Sequence, residues 1–226
     1  MTEDSSRSFG VKICGITSAV QAQAICALGA DMMGLNFWPQ SRRYVRPSDA
    51  DLWAEALREH VKVVGVFVNP SLAALKEIIG MGLIDVIQLH GDEDAQRVAR
   101  VMALGLPVIK ALQVRDRESL KMIRKYPCET ILLDAYCPGV YGGEGKTFPW
   151  ELAIEARDAF PSKQFILAGG LTPDNVGLAV SQVRPTGVDV ASGVESAPGV
   201  KDLTLVGRFI TEAKIASAAI EESESH

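Results

Sequence analysis

The sequence predicts an α/β protein whose fold is a (β/α)8 TIM barrel, a parallel eight-stranded sheet closed into a cylinder. Short apolar runs recur roughly every 20–30 residues along the chain of 226 residues, and each is followed by a segment with helical apolar spacing. The runs are rich in Val, Ile and Leu without polar alternation, as in parallel strands that are covered on both faces. Eight alternating units of strand and helix, in about 200–250 residues, close such a barrel.

Eight runs of ordinary strand length are predicted to form the barrel. In chain order they are Val11–Cys14, Met32–Asn36, Val63–Val68, Val86–His90, Val108–Leu112, Thr130–Asp134, Phe165–Gly169 and Gly187–Ala191. Because the strands are parallel, their carboxyl ends lie at one mouth of the barrel. The functional side chains of this fold come from that mouth and from the loops that follow the strands.

Amphipathic segments between the runs predict the helices. They include Ser18–Leu28, Ser48–Glu59, Ser71–Met81, Glu93–Leu104 and Arg117–Lys125. After the seventh strand, Thr172 and Pro173 are expected to open a helix, with the hydroxyl as the N-cap and the proline in the first helical position. The segment Leu203–Ile220 supplies the last helix.

The chain is expected to form one domain over residues 9–220, with polar, disordered tails at 1–8 and 221–226. The competing architecture is an open doubly wound sheet. That fold requires a glycine-rich fingerprint after the first strand, where this chain has the single glycine Gly15. The closed barrel is therefore the prediction.

Composition excludes several classes of protein. Charged residues make up 23% of the chain, hydrophobic residues 47%, and the net charge is −5, which is typical of a soluble globular protein. No basic stripe predicts a nucleic-acid partner, and no apolar run reaches the roughly 18 residues of a membrane span. The four cysteines lack a C-x-x-C spacing, and the polar start lacks a secretory signal. We expect a cytoplasmic protein with reduced thiols.

A thiol and a carboxyl end two of the predicted strands and are candidates for proton transfer. Cys14 closes the first run and Asp134 closes the sixth, so both belong at the same mouth. A thiol becomes a usable base where its neighbours favour the thiolate, and a carboxyl in apolar surroundings can serve as a general acid. Cys14 is equally compatible with a buried small hydrophobic residue, and Asp134 with a helix cap or a loop salt bridge.

Two glycine turns follow the seventh and eighth strands. Gly169 and Gly170 lie in the first turn, and Ser192 and Gly193 lie in the second. Glycines allow backbone N–H groups to approach a ligand closely, and helix N-termini attract anions. These are the loops that most often hold phosphate in such barrels. Either turn alone is also explained by the glycine that any tight turn needs, but the pair favours a phosphate site.

Further candidates follow the second and fourth strands. Arg42 and Arg43 lie in the loop after the second strand. One of them can bind a carboxylate through two hydrogen bonds, and the other is expected to be a solvated loop charge. His90 ends the fourth run and either lines the site or has a structural polar role. No residues have metal-ligand spacing, so no metal is predicted.

A glycine-rich segment over residues 139–147 resembles a nucleotide-binding P-loop at first sight. The P-loop pattern needs four residues between its first glycine and Gly-Lys-Thr, whereas Gly139 leaves five. We interpret the segment as a flexible loop after the sixth strand that is able to close over the site.

Seven motifs together resemble the phosphoribosylanthranilate isomerases of tryptophan biosynthesis, from about Val11 to Phe209. They are KICGI at 12–16, SRRYV at 41–45, QLHG at 88–91, LLDA at 132–135, GGEGKTFPW at 142–150, AGGL at 168–171 and SGVE at 192–195. Their combination and order are specific, although none is so alone. Glu144 departs from the family, which usually has a small threonine there.

The resemblance implies a (β/α)8 barrel without a cofactor, in which Cys14 is the general base and Asp134 the general acid. It implies that Arg43 rather than Arg42 holds the anthranilate carboxylate. The phosphate is expected on backbone groups around the two glycine turns, at Gly169, Gly170, Ser192 and Gly193. The implied partner is a small phosphosugar, and the implied reaction is an Amadori rearrangement by acid–base catalysis.

Other functions remain open at this point. Related phosphosugar barrels include indole-glycerol-phosphate synthases, which need a catalytic lysine for which Lys110 is the only comparable candidate, and the histidine-pathway isomerase. Sugar epimerases of this fold need metal ligands. Two alternatives belong to a different functional class. They are a P-loop nucleotide-binding protein and a barrel that binds phosphate without catalysis.

Overall fold

The computed structural model describes residues 9–58, 60–135 and 148–224 and confirms the predicted barrel. Eight parallel strands are hydrogen-bonded in chain order, and the eighth pairs with the first to close the sheet. The strands are β1 Gly10–Cys14, β2 Met32–Asn36, β3 Lys62–Phe67, β4 Val86–Leu89, β5 Val108–Val114, β6 Thr130–Ala135, β7 Gln164–Leu167 and β8 Gly187–Val190. Every predicted strand is present, with its ends within two residues of the predicted ones.

Helices surround the barrel. They are α1 Ala19–Ala27, α2 Pro47–Asp51, α3 Ala54–Leu57, α4 Leu72–Gly80, α5 Ala95–Met102, α6 Arg117–Leu120, α7 Trp150–Ala159, α8 Val176–Val183 and α9 Leu203–Glu224, with a 3₁₀ turn at Ile123–Lys125. The segments predicted as single helices after β2 and β5 are each divided into two short pieces. The outer faces of the strands and the inner faces of the helices share one continuous apolar core.

The start of α8 differs from the prediction that Thr172 and Pro173 open the helix. The helix begins at Val176, and Asn175 occupies the N-cap position. The Asn175 side chain explains the difference, because its Oδ1 accepts from the N–H of Thr172 at 2.8 Å while its Nδ2 donates to Gly170 O at 3.0 Å. Thr172 is therefore held in the loop and does not cap the helix.

Side chains that point into the barrel are of two kinds. One set is an apolar plug made of Val64, Val86, Ile109, Ala111, Leu132, Ile166 and Ala168. Because side chains alternate along a strand, the same inward faces also carry the polar residues Lys12, Gln88, Asp134 and Asp189, which are buried. The interior of the barrel is therefore partly apolar and partly polar.

A small hairpin between β8 and α9 was not predicted. Its strands are β9 Glu195–Ala197 and β10 Val200–Lys201. The turn at Gly199 is fastened to the start of α1, because Thr17 Oγ1 and Gln21 Nε2 both donate to Gly199 O, at 2.8 and 3.2 Å. This attachment places the hairpin beside the mouth of the barrel.

The last helix is longer than expected. α9 continues to Glu224, four residues beyond the predicted domain end at residue 220. Glu221 and Glu222 are exposed but have good helix propensity, so they extend the helix that Ile220 anchors against the core. Residues 1–8, 225 and 226 lie outside the described residues. Within the described chain, none of the helices has the length and apolar character required to span a membrane.

Candidate active site

Cys14 lies at the carboxyl end of β1, half-buried, with its side chain toward the interior of the barrel. Two residues earlier on the same face of the strand is Lys12, which is fully buried. Its Nζ lies 2.8 Å from Oδ1 of Asp189, which β8 places directly beside it in register. The thiol therefore stands above a buried ion pair.

The neighbouring strand makes room for these groups. Gly34 pairs with Cys14 in register, and a Cβ atom at Gly34 would lie 2.6 Å from Cys14 Sγ and 3.1 Å from Lys12 Nζ. The first distance is shorter than any normal contact, so a side chain at position 34 would displace the thiol. The sulfur of Cys14 and the ammonium of Lys12 therefore both lie close to the Cβ position of Gly34, inside the barrel.

Opposing influences set the pKa of Cys14. Burial raises the pKa of the thiol above its ordinary value and Asp189 adds to the rise, whereas the positive charges of Lys12 and Lys201 and a hydrogen bond from Lys12 oppose it. Burial by itself would lower the pKa of Lys12, but Asp189 and the Cys14 thiolate outweigh burial and leave it raised. Lys12 is therefore an ammonium ion at neutral pH.

Asp134 lies on β6, nearly opposite β1 in the strand order, and is also buried. Its Oδ1 accepts from the N–H of Ala135 at 2.8 Å, and its Oδ2 lies 3.2 Å from Nε2 of His90. Gln88 Nε2 lies 3.0 Å from the other ring nitrogen of His90. With the amide as donor to that nitrogen, Nε2 carries the ring proton and donates to Asp134. The structure thus brings His90 and Asp134 together.

The loops after β7 and β8 pack against each other at the mouth. Gly169 and Gly170 have positive φ angles of 77° and 65°. A Cβ atom at Gly193 would lie 1.9 Å from Leu171 O, so only glycine permits this close approach. Ser192 and Gly193 form a short 3₁₀ turn directly after β8. All four predicted residues of the phosphate site are therefore close together.

A cavity of about 410 Å³ opens at these loops. Its lining includes Gly170, Leu171, Thr172, Ser192, Gly193, Ser196, both Arg42 and Arg43, and Glu195. The glycine turns form one wall, and the β9–β10 hairpin forms another. The cavity is large enough for a phosphate group and part of a sugar.

Arg43 and Arg42 occupy different environments. Arg43 has a side chain only 14% exposed, and its Nε and Nη2 donate to the two carboxylate oxygens of Glu195 at 2.8 and 2.7 Å. Its methylene groups lie over Gly15, next to Cys14. Arg42 is exposed. Of the two arginines, Arg43 is the one that lies against Gly15, the residue after the candidate catalytic thiol.

Glu195 also binds Lys201 and so links two cations. Lys201 Nζ lies 2.7 Å from Glu195 Oε1 and 2.9 Å from Ala191 O. Burial would raise the pKa of Glu195, but hydrogen bonds from Arg43 and Lys201 hold it below its ordinary value. Burial lowers the pKa of Lys201, although Glu195 opposes the change. Glu195 is therefore ionised at neutral pH and orients Arg43.

Sequence reasoning did not identify four charged residues of this site: Lys12, Asp189, Glu195 and Lys201. A signal for two of them was present, because Lys12 and Asp189 each interrupt an otherwise apolar run. Burying a charge is costly unless it is paired, so two charged residues on the inward faces of β1 and β8 are natural partners. No comparable pattern marked Glu195 and Lys201, since the hairpin that carries them was not predicted.

Lys110 does not lie at the mouth. It points outward from β5, where its Nζ donates to Gly91 O at 2.7 Å and to Glu93 Oε2 at 2.9 Å. Tyr126 covers it, with the ring centroid 5.9 Å from Nζ. A lysine bound in this way between the barrel and its helices cannot act as the catalytic lysine of a synthase.

Two further sequence expectations concern a metal site and the loop after β6. Among residues 9–58, 60–135 and 148–224, no group of three His, Cys, Asp or Glu side chains is placed to hold a metal ion. The glycine-rich loop over 139–147, with Glu144, lies outside the described residues.

Comparison with known proteins identifies the family. The family model of N-(5'-phosphoribosyl)anthranilate (PRA) isomerase matches residues 11–212. The chain belongs to the PRA isomerase family. Its activity is the isomerisation of N-(5'-phosphoribosyl)anthranilate in tryptophan biosynthesis, and the nucleotide-binding and non-catalytic alternatives are thereby excluded.

Individual relatives agree with this assignment. The N-(5'-phosphoribosyl)anthranilate isomerase of Geobacter metallireducens is 47% identical over 204 residues, which cover 90% of this chain and 98% of that protein. The crystal structure of the PRA isomerase of Thermotoga maritima is 38% identical with a TM-score of 0.82, covering 91% of this chain and 98% of the other. Another solved PRA isomerase, 37% identical with a TM-score of 0.79 and covering 91% and 98% of the two chains, is in complex with reduced 1-(o-carboxyphenylamino)-1-deoxyribulose 5-phosphate.

Proposed function

We propose that Cys14 and Asp134 are the general base and the general acid of the PRA isomerase reaction. The observation that carries the proposal is their placement, because both side chains point inward at the carboxyl ends of strands nearly opposite in the barrel. A substrate lying across the mouth can then meet an acid on one side and a base on the other. The reaction only moves protons, so these two groups are sufficient for it.

The reaction begins at the furanose ring. Asp134 protonates the ring oxygen, the C1–O bond breaks, and the anthranilate nitrogen supplies the electron pair that forms an iminium ion. His90 Nε2, 3.2 Å from Oδ2, orients the carboxyl. Asp134 is therefore the group in contact with the substrate, and His90 is its positioning residue.

Proton removal at C2 completes the rearrangement. The iminium ion acidifies the C2–H bond, and the Cys14 thiolate takes that proton. The electron pair of the broken C2–H bond forms the C1–C2 double bond, and the π pair of the C1–N bond returns to the nitrogen and neutralises it, which yields an enolamine. Tautomerisation to the ketone gives the 1-deoxyribulose product. The substrate nitrogen serves as the electron sink, which is the task a cofactor performs in other enzymes.

Charged and backbone groups hold the two ends of the substrate. We place the phosphate at the turns of Gly169, Gly170, Ser192 and Gly193, where two loops approach each other beside the cavity. The anthranilate carboxylate binds Arg43 in competition with Glu195, whose carboxylate now occupies the same guanidinium. Glu195 thus acts as an internal carboxylate that keeps Arg43 oriented before the substrate arrives.

A catalytic thiol requires a reducing environment, and we place the enzyme in the cytoplasm. The described cysteines Cys14, Cys26 and Cys128 are all free thiols, which agrees with this location. The proposed partner is the small phosphosugar substrate.

One assay tests the proposed roles. Loss of the fluorescence of the anthranilate adduct is followed after the purified chain is added without metal or nucleotide. Cys14→Ser and Asp134→Asn should each lower turnover by at least about 100-fold, since a general acid or base contributes about 10²–10⁴-fold. Circular dichroism and binding of a reduced product analogue serve as controls for the fold. A variant that keeps more than about a tenth of the wild-type rate would remove its residue from the proposed role.

A further inference from the structure

We propose that Lys12 is a positioning residue of this reaction, whose buried ammonium stabilises the Cys14 thiolate while Asp189 holds it in place. The inference rests on the proposed role of Cys14 as the base. Neither Lys12 nor Asp189 was assigned a function from the sequence.

The first support is the position of Lys12 in the barrel. Its side chain is fully buried, and it shares the inward face of β1 with Cys14, two residues away. The missing side chain of Gly34 leaves a space that Cys14 Sγ and Lys12 Nζ both border, at 2.6 and 3.1 Å from the same point. The ammonium therefore lies next to the thiol and not merely on the same strand.

The second support is the poor value of this ion pair as a structural device. Lys12 and Asp189 have side chains 0% and 9% exposed. A buried ion pair seldom stabilises a fold more than apolar residues of similar volume, because both charges lose their hydration. The apolar plug packs inside the barrel without any charge. The paired lysine, two residues from the thiol on the same face of β1, is therefore better explained by its effect on the thiol.

The charges around Cys14 define what each partner does. On its own strand Lys12 favours the thiolate, and from β10 the more distant Lys201 does so as well, while Asp189 on β8 disfavours it. Glu195 binds both Lys201 and Arg43, and Arg43 lies over Gly15. Because the carboxylate of Glu195 offsets part of their positive charge, these two cations act less strongly on the thiol. Lys12 is the cation with the largest influence on the thiol. Asp189 keeps Lys12 charged despite its burial.

The two charges of the ion pair act on Cys14 with opposite signs, and Lys12 has the larger effect. Lys12→Met removes the stabilising charge and should raise the pKa of Cys14. The double variant Lys12→Met with Asp189→Asn removes both charges and should raise it by less. A purely structural role predicts instead that the double variant, which leaves no unpaired buried charge, restores the wild-type pKa of Cys14.

The measurement is the rate of Cys14 alkylation by iodoacetamide as a function of pH. Peptide mass spectrometry distinguishes Cys14 from the other three cysteines. Lys12→Met should slow alkylation near pH 8 by about tenfold or more, the equivalent of at least one pKa unit, and the limb of the kcat/KM profile that belongs to Cys14 should move to higher pH. The double variant should show a smaller shift in the same direction, because it also removes the charge of Asp189.

Two further variants keep the test decisive. Lys110→Met breaks a buried ion pair on the outer side of β5, with side chains 1% and 2% exposed, and should leave the alkylation profile of Cys14 unchanged. If Lys12→Met does not fold, the double variant Lys12→Met with Asp189→Asn removes both charges and should still show a raised Cys14 pKa, because Lys12 has the stronger influence.

An unchanged alkylation profile in Lys12→Met, or a wild-type profile in the double variant, would overturn the proposal. Alkylation reports on the thiol whether or not it is the base. Normal turnover of Cys14→Ser would instead remove the proposed function and leave the influence of Lys12 on Cys14 standing.

Discussion

Cys14 illustrates how single residues in this site depend on their immediate neighbours. A half-buried thiol without nearby cations would stay protonated and be a poor base. Lys12 and Lys201 oppose the effect of burial, yet the pKa of Cys14 still lies above the ordinary thiol value of 9.0. At neutral pH the thiolate is a minor species, and the proposed base acts through that fraction.

The pH dependence of the reaction follows from the two proposed groups. Because the proposed mechanism needs both a thiolate base and a protonated acid, kcat/KM should follow a bell-shaped pH profile. Because the pKa of Cys14 is raised, one limb of that profile should lie above the ordinary thiol value of 9.0. Steady-state rates between pH 6 and 10, limited to the range in which circular dichroism is constant, measure this limb. A profile with no limb above pH 9 would show that the base titrates at lower pH than a thiol in this environment.

Arg43 and Arg42 differ at the residue scale, and this difference predicts unequal effects on binding. Arg43→Lys should raise KM by about tenfold or more, since a lysine cannot make the two parallel charge-assisted hydrogen bonds of a guanidinium. Arg42→Lys keeps an exposed charge and should change KM by less than about twofold. Inhibition by inorganic phosphate is a control that Arg43→Lys should leave unchanged. Equal Michaelis constants for the two variants would contradict the assignment of Arg43.

At the scale of elements, the loops after β7 and β8 form a unit because each depends on the other. Asn175 binds both Gly170 O and the N–H of Thr172, which fixes the first loop. Gly193 lets the second loop approach Leu171 O. The β9–β10 hairpin, fastened to α1 through Gly199, covers the remaining side. Several short elements together thus form the wall that is proposed to bind phosphate.

This wall predicts a specific response to phosphate. Low millimolar inorganic phosphate should raise the melting temperature of the wild type, because a ligand that binds only the folded state stabilises it by mass action. Gly170→Val should reduce that shift, since it places a branched side chain at a φ of 65° beside the cavity.

The control for this prediction is Gly105→Val. Gly105 also has a positive φ, 95°, but is exposed, and its Cβ position has open space around it. Gly105→Val should lower the melting temperature and keep the phosphate-induced shift. If Gly170→Val responds to phosphate as strongly as the control does, the phosphate lies elsewhere.

At the scale of the whole molecule, buried ion pairs connect segments that are far apart in the barrel wall. Glu93 accepts from Lys110, from the N–H of Asn69 and from the N–H of Gly91, and so joins the loops after β3 and β4 to β5. His90 is the residue directly before Gly91, whose N–H belongs to this junction. The outer layer therefore supports the position of a residue in the active site.

Breaking the junction should lower stability more than breaking a surface pair. Lys110→Met leaves the Glu93 carboxylate buried without its cation and should reduce the free energy of unfolding by about 3–5 kcal/mol. Lys121→Met removes the exposed Lys121–Glu118 pair and should cost at most about 1 kcal/mol. Urea denaturation of both variants measures the difference. Similar losses in the two variants would show that the buried pair contributes no more than an exposed one.

Most of the fold was predictable because it depends on local patterns. Continuous apolar runs such as Val86–His90 identify buried strands, and a barrel follows from their number and alternation with helices. The exceptions were short elements whose ends depend on tertiary contacts. The start of α8 moved because Asn175 binds the preceding loop, and the β9–β10 hairpin exists because its turn attaches to α1.

The sequence by itself determined the barrel, the family and the presence of Cys14 and Asp134 at strand ends, since each is a property of neighbouring residues or of motif order. Only the tertiary structure decided which charges surround them. Lys12 meets Asp189 across 177 residues of chain, and Arg43 meets Glu195 across 152, because closure of the sheet brings β1, β8 and the hairpin together. Electrostatic effects depend on distance and burial in space, and neither quantity can be obtained from separation along the chain.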